Sequence, residues 1–289
     1  MAYPIVEVKT EDNIELHGLI SLPRQSDILY LNIHGTGSNF FCEAFQEDLY
    51  NKLVNLGIDV LFTNNRGSFA MDSWQDTGAA LEIFEKSVLD IDAWMKWALD
   101  HKYEKIILSG HSHGTEKAVY YMTHGKYKDN VTALVLMGFA DSMGTQNNFE
   151  KTIQVDLIAE AKEKVAAGKG YELLTGHRKA QAGELPISAD TYLNYFSDDS
   201  ELSKATPFRN GSTLPMIKSI KVPILATIGD HEEYTIIPIK DAMALLEKEN
   251  PHVEAHQIVG SNHCYEGHQQ ELTSLIGNFL ANHQLIKSA

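Results

Sequence analysis

Cysteine is nearly absent: Cys42 and Cys264 are the only two among 289 residues. Two thiols cannot build a disulfide framework, and their scarcity fits a reducing compartment. No stretch approaches the roughly 18 consecutive apolar residues of a membrane span. The opening residues Met1-Ala2-Tyr3-Pro4 also lack the basic and apolar regions of a secretory signal. Basic residues are few, 24 against 39 acidic, leaving a formal charge of −15. Such a surface repels phosphate backbones and anionic lipid, so neither nucleic acid nor membrane is an expected partner. Internal repeats and low-complexity tracts are missing too, which excludes solenoids and long linkers. The expected location is the cytoplasm.

What is present is ordinary globular material, 43% apolar and 22% charged, in a chain long enough for a sizeable core. Residues 5–8 and 14–21 read as a hairpin around the polar turn 11–13. An alternation of strand and helix follows. Strands are expected at 28–33, 58–63, 105–108, 131–137, 222–228 and 253–259, and helices at 42–55, 78–100, 115–123, 238–248 and 269–282. In the 78–100 helix, Leu81, Phe84, Val88, Ile91, Met95 and Ala98 form one apolar stripe. Strands separated by helices cannot pair as hairpins, so the fold class is α/β, a mostly parallel sheet with helices on both faces. Residues 141–221 break the rhythm, with a helical stretch at 149–167 that turns Ile153, Ile158 and Val165 inward and no convincing strand. This stretch reads as a helical insertion at the C-terminal ends of the strands, where open α/β sheets bind ligands.

Gly110-His111-Ser112-His113-Gly114 matches G-x-S-x-G, entered from a buried strand and left through a helix. That context is what a nucleophile elbow needs, a tight turn that exposes the serine hydroxyl. A hydroxyl is a weak nucleophile near neutrality and requires a base, itself oriented by an acid. Chain order nucleophile, acid, base selects the loops after the last two strands. His263, in Ser261-Asn262-His263, is the expected base. In Gly229-Asp230-His231-Glu232, Glu232 lies far enough round the loop to meet the histidine, and Asp230 is the alternative, better placed to brace the loop. Oxyanion donors are expected from the backbone N–H of His113 and from His34-Gly35-Thr36-Gly37, with Thr36 the donor.

His34 reads as a loop brace, Trp74, Trp94 and Trp97 as core or helix-packing residues, and Cys42 and Cys264 as small buried thiols flanking the pocket. His111-Ser112-His113 lacks the downstream ligands of a zinc site, so neither a metal nor a cofactor is expected.

The succession of HGTG at 34–37, NRG at 65–67, GHSHG at 110–114, GDHEEY at 229–234 and SNH at 261–263 resembles the α/β-hydrolase superfamily over essentially the whole chain. Within it, the chain is similar to small intracellular esterases and serine aminopeptidase-like hydrolases, and more loosely to siderophore-type esterases. The resemblance implies Ser112, Glu232 and His263 as nucleophile, acid and base. It implies a core of residues 1–140 and 222–289, with 141–221 as a helical cap between the sixth and seventh family strands. It departs from the usual pattern at His113, whose side chain is larger than that position normally holds, and at the acid, more often Asp. The expected activity is hydrolysis of an ester, thioester or amide of a small acyl substrate. An acyltransferase or a non-catalytic receptor is the alternative on the same fold. The oligomeric state stays open, a homodimer included.

Overall fold

A computed structural model describes residues 4–22, 24, 26–180, 183–231 and 234–286. Strands β1 (Ile5–Lys9), β2 (Glu15–Ile20), β3 (Ile28–Ile33), β4 (Asp59–Thr63), β5 (Lys105–His111), β6 (Val131–Met137), β9 (Ile224–Ile228) and β10 (Val253–Gln257) form one sheet. Its order is β1-β2-β4-β3-β5-β6-β9-β10. β1 and β2 pair antiparallel, as do β2 and β4; every other neighbour is parallel. The expected α/β class and the opening hairpin are therefore what the chain forms.

Alternate side chains of each strand serve the two faces. Leu29, Leu31 and Ile33 of β3 pack on one side with helices α2 (Ser87–Asp100), α3 (His113–His124) and α9 (Ile239–Glu249). Tyr30 points the other way, toward α1 (Gln46–Asn55) and α10 (Gln269–Asn282). Strands buried on both faces read as unbroken apolar runs, which is why their positions were legible.

The connection from β6 to β9 carries α4 (Ser142–Ile153), α5 (Leu157–Ala166), the hairpin β7 (Arg178–Ala180) and β8 (Gly183–Leu185), then α6 (Ala189–Phe196), α7 (Glu201–Ala205) and α8 (Pro215–Ser219). β6 and β9 are neighbours, Leu134 opposite Ile224, so the connection leaves and re-enters the sheet at adjacent strands. Its apolar side chains, among them Leu157, Ile187, Tyr192 and Tyr195, gather in a third cluster closed by Phe84 and Tyr120.

Several local expectations are corrected. Helix α2 starts at Ser87, after a single 3-10 turn at Phe84–Lys86, rather than at residue 78. The N–H groups of Gly78, Ala79 and Ala80 bond to the carbonyls of Arg66, Phe69 and Ala70, and no helix runs through this stretch because Gly78 stands at φ 108° and Ile83 is extended at φ −106°, ψ 121°. Helix α1 starts at Gln46 rather than at 42, because the Asn39 and Gln46 side chains accept from the backbone of Phe41 and Glu43 and hold that stretch as turns. The 149–167 stretch is two helices: Gln154 adopts φ 55°, and Asp156 caps α5 by accepting from Ala159 N at 2.9 Å. Leu157 and Ala161 face inward there, while Val165 is exposed and Ile153 and Ile158 are half-buried. The hairpin β7-β8 stands where no strand was expected. Trp94 is fully buried, but Trp74 is 91% exposed and packs in no core. Among the described residues, no helix is long and apolar enough to cross a membrane.

Candidate active site

Ser112 sits between the last residue of β5 and the first of α3 with φ 55° and ψ −127°, a left-handed backbone rarely tolerated by a side chain. The surrounding structure holds it there. Its N–H donates to Met137 O at 2.9 Å, and its carbonyl accepts from Thr115 N and Thr115 Oγ1 at 2.8 and 2.6 Å. The flanking glycines are sterically required. A Cβ on Gly110 would lie 2.2 Å from Gly114 O, and one on Gly114 would lie 2.3 Å from Ile33 O. Gly35 passes so close that a Cβ there would meet Ser112 Cβ at 2.9 Å. This is the strained strand–turn–helix that the motif anticipates.

The hydroxyl-bearing turn opens into a cavity of about 440 Å³. The loop after β3 contributes Gly35 to Ser38, the elbow His111 and Ser112, and the last two strands' loops Tyr234, Asn262, Cys264 and Glu266. The β6–β9 connection supplies Ser142, Thr145, Arg178, Lys179, Leu185 and Phe196. Such a place, outside the C-terminal ends of parallel strands, is where α/β sheets bind ligands. Cys42 and Cys264 both line it, but Cys42 is exposed and Cys264 half-buried, so the expectation of two buried thiols is corrected.

His263 is fully buried in the loop after β10. Its ring stands perpendicular to that of Tyr234, with 4.7 Å between centroids, and packs on Gly138, where a Cβ would lie 2.9 Å from Cε1. Gly138 follows Met137, the residue that accepts from Ser112 N, so nucleophile and histidine flank the same strand end. His111 ties the two loops together: Nε2 lies 2.9 Å from His263 O, and Nδ1 lies 3.0 Å from Glu43 Oε2. Burial alone would raise the Glu43 carboxyl, but the charge and hydrogen bond of His111 outweigh it and hold the group at about 2.

Asp230 spends its carboxylate on the loop: Oδ2 accepts from Gly260 N at 2.9 Å, and Oδ1 lies 3.2 Å from His231 Nε2. Glu232 lies outside the described residues. Thr36 lines the cavity, with its hydroxyl accepting from Arg178 Nη2 at 3.0 Å. His34 braces this loop from beneath, Nδ1 against Gly35 O at 2.7 Å and Nε2 against Ser68 Oγ at 2.8 Å. Burial, with the charge of Lys117 adding to it, pulls its imidazole down to about 4, so it stays neutral.

The side chain of His113 turns away from the cavity. It is buried, with Nδ1 2.7 Å from Glu116 Oε2 and Nε2 3.4 Å from Tyr195 Oη. Burial depresses it well below its ordinary value, and burial pushes Glu116 up to about 8 against the opposing hydrogen bonds of Ser142. The contact is thus a bond between neutral groups near neutrality within α3, and the bonds of Ser142 to Glu116 and of His113 to Tyr195 tie α3 to the β6–β9 connection. In the NRG motif, Arg66 forks onto Asp90 and Asp12 at 2.8–3.2 Å, a structural clamp behind the sheet.

Sequence reasoning missed Arg178, Glu43, Glu116 and the buried Lys117–Glu82 pair, whose ends are 2.5 Å apart. Arg178, Glu43 and the Lys117–Glu82 pair are defined by partners far along the chain, and Glu116, though His113 is three residues away, owes its role to burial against Ser142 of the β6–β9 connection.

Over residues 33–268 the sequence matches the family described as "Protein of unknown function (DUF1749)". No curated protein matches it. Among solved structures, the esterase Pf2001 of Pyrococcus furiosus is 20% identical with a TM-score of 0.61, covering 97% of this chain and 91% of that one. Est1E of Butyrivibrio proteoclasticus, solved with ferulic acid bound, is 17% identical with a TM-score of 0.67, covering 97% of this chain and 99% of that one. A soluble variant of the monoglyceride lipase of Saccharomyces cerevisiae is 15% identical with a TM-score of 0.66, covering 98% and 96%. Similarity at these identities is similarity of fold.

Proposed function

For a chain that belongs to the family described as "Protein of unknown function (DUF1749)" and has the α/β-hydrolase fold, we propose a serine hydrolase that cleaves a small acyl substrate through an acyl-enzyme. The observation that carries this reading is the backbone of Ser112, held at φ 55° on a turn that opens into the cavity. Strain of this kind persists only where the surroundings over-determine it, and the two flanking glycines with no room for a Cβ do so here.

In the proposed mechanism His263 takes the proton of the Ser112 hydroxyl as the oxygen attacks the substrate carbonyl, and Glu232 orients the imidazole and stabilises its charged form. The backbone N–H groups of Thr36 and His113 receive the oxyanion, a contribution of about 2.7–4 kcal/mol per donor in such sites. Collapse of the tetrahedral intermediate passes the proton from His263 to the leaving group. Water, activated by the same histidine, then releases the acid. Asp230 keeps the loop in register. The structural neighbours named as esterases and a monoglyceride lipase favour an ester over a thioester or amide. The segment 141–221 acts as a cap whose Leu185 and Phe196 bound the acyl pocket and exclude water.

Intact-mass analysis after treatment with a fluorophosphonate tests this. One adduct is expected on the native protein and none on Ser112→Ala; an adduct that persists in Ser112→Ala removes the assignment.

A further inference from the structure

Arg178 does not behave as a structural arginine. Its side chain is buried, 2% exposed, and yet it lines the cavity that holds Ser112. Nη2 donates to Thr36 Oγ1 at 3.0 Å, and the guanidinium carbon lies 4.7 Å over the ring of Tyr195 and 5.8 Å from that of Phe196. Nη1 is buried and has no hydrogen-bond partner among the described residues. A buried cation left incompletely bonded is costly, and such a group facing a cavity calls for a partner there.

The neighbouring carboxylates do not supply that partner. Glu82 is engaged by Lys117 at 2.5 Å, and those two charges offset each other. Glu116, pushed up by burial, is bonded to Ser142 and His113. The three carboxylates that line the cavity are also occupied: Glu43 with His111, Glu184 with His177 at 3.2 Å and Glu266 with Asn262 at 2.8 Å. Arg178 thus faces the cavity with no carboxylate bonded to it among the described residues, and half-buried Lys179 lines the same wall.

Resting on the reading of Ser112 as nucleophile, we propose that Arg178 anchors a carboxylate of the substrate, so that the enzyme prefers acyl compounds that also carry a carboxylate. The planar fork of a guanidinium matches a carboxylate, and a charge-assisted bond in this setting is stronger than one to a neutral oxygen. The bond to Thr36 sets the anchor beside the loop proposed to receive the oxyanion, so anchoring and acyl placement are coupled.

Binding to the full-length Ser112→Ala protein tests this without turnover, using monomethyl adipate and dimethyl adipate as probes in titration calorimetry. The expected result is binding of the monoanion at least 10-fold tighter than the diester, with that preference lost in Ser112→Ala carrying Arg178→Met. Arg178→Lys should keep a weakened preference and covers the case in which the methionine variant does not fold. Equal binding of the two probes, no binding of either, or a preference that survives Arg178→Met overturns the anchor. The fluorophosphonate experiment bears on the nucleophile alone, so the two readings fail separately.

Discussion

A Cβ on Gly110 would come within 2.2 Å of the carbonyl oxygen of Gly114, so the turn that lifts Ser112 exists only while position 110 has no side chain. Gly110→Ala and Gly114→Ala should each destabilise the protein by more than ~3 kcal/mol, since only backbone stands in the way and backbone cannot yield cheaply. Gly277→Ala is the contrast. Its Cβ would meet the flexible end of Lys52 at 3.1 Å within a helix, and the helix gains by the change, so stability should stay within about 1 kcal/mol of wild type. Denaturant melts of the three variants check the ranking.

His263→Ala should lower kcat on the order of 10³-fold with a smaller change in KM, because the base acts mainly in the transition state. Glu232→Gln should cost far more activity than Asp230→Asn, whose side-chain oxygen can still accept from Gly260 N. Steady-state rates on a p-nitrophenyl ester decide it. The opposite ranking gives the acid role to Asp230.

Leu185 packs on the loop after β3, its Cδ1 2.8 Å from where a Gly37 Cβ would stand, and it lines the cavity. Shortening it lengthens the pocket. Leu185→Ala should shift the preferred acyl chain of p-nitrophenyl esters toward longer members while fluorophosphonate labelling of Ser112 continues. An unchanged chain-length profile would remove the cap from substrate selection.

Glu116 holds its proton up to about pH 8 in the folded chain but only to its ordinary 4.5 once unfolded. The folded state therefore binds the extra proton between those values, and stability falls as pH rises through that window, by at most about 1.4 kcal/mol per unit. His34 acts in the opposite sense: depressed to about 4, it loses stability as pH falls below its ordinary 6.5. From pH 6.5 to 8 only the Glu116 slope of the two remains. Thermal melts across that range should decline for the wild type and flatten for Glu116→Gln.

Much of this protein is local information. A buried parallel strand must be apolar on both faces, so β3 and β6 announce themselves, and the glycines around Ser112 mark a turn that only their missing side chains permit. Where Gly78 turns to φ 108° and Ile83 is extended, the early part of the helical stripe beginning at Leu81 was overruled, because neither backbone conformation can belong to a helix. The tertiary structure alone decided which charges stand inside. Arg178 and Thr36 are 142 residues apart, Lys117 and Glu82 are 35, and Glu116 owes its raised pKa to burial beneath the β6–β9 connection. Composition and spacing carry no trace of such pairs, since the energy of a buried charge depends on what the fold places beside it rather than on its neighbours in the chain.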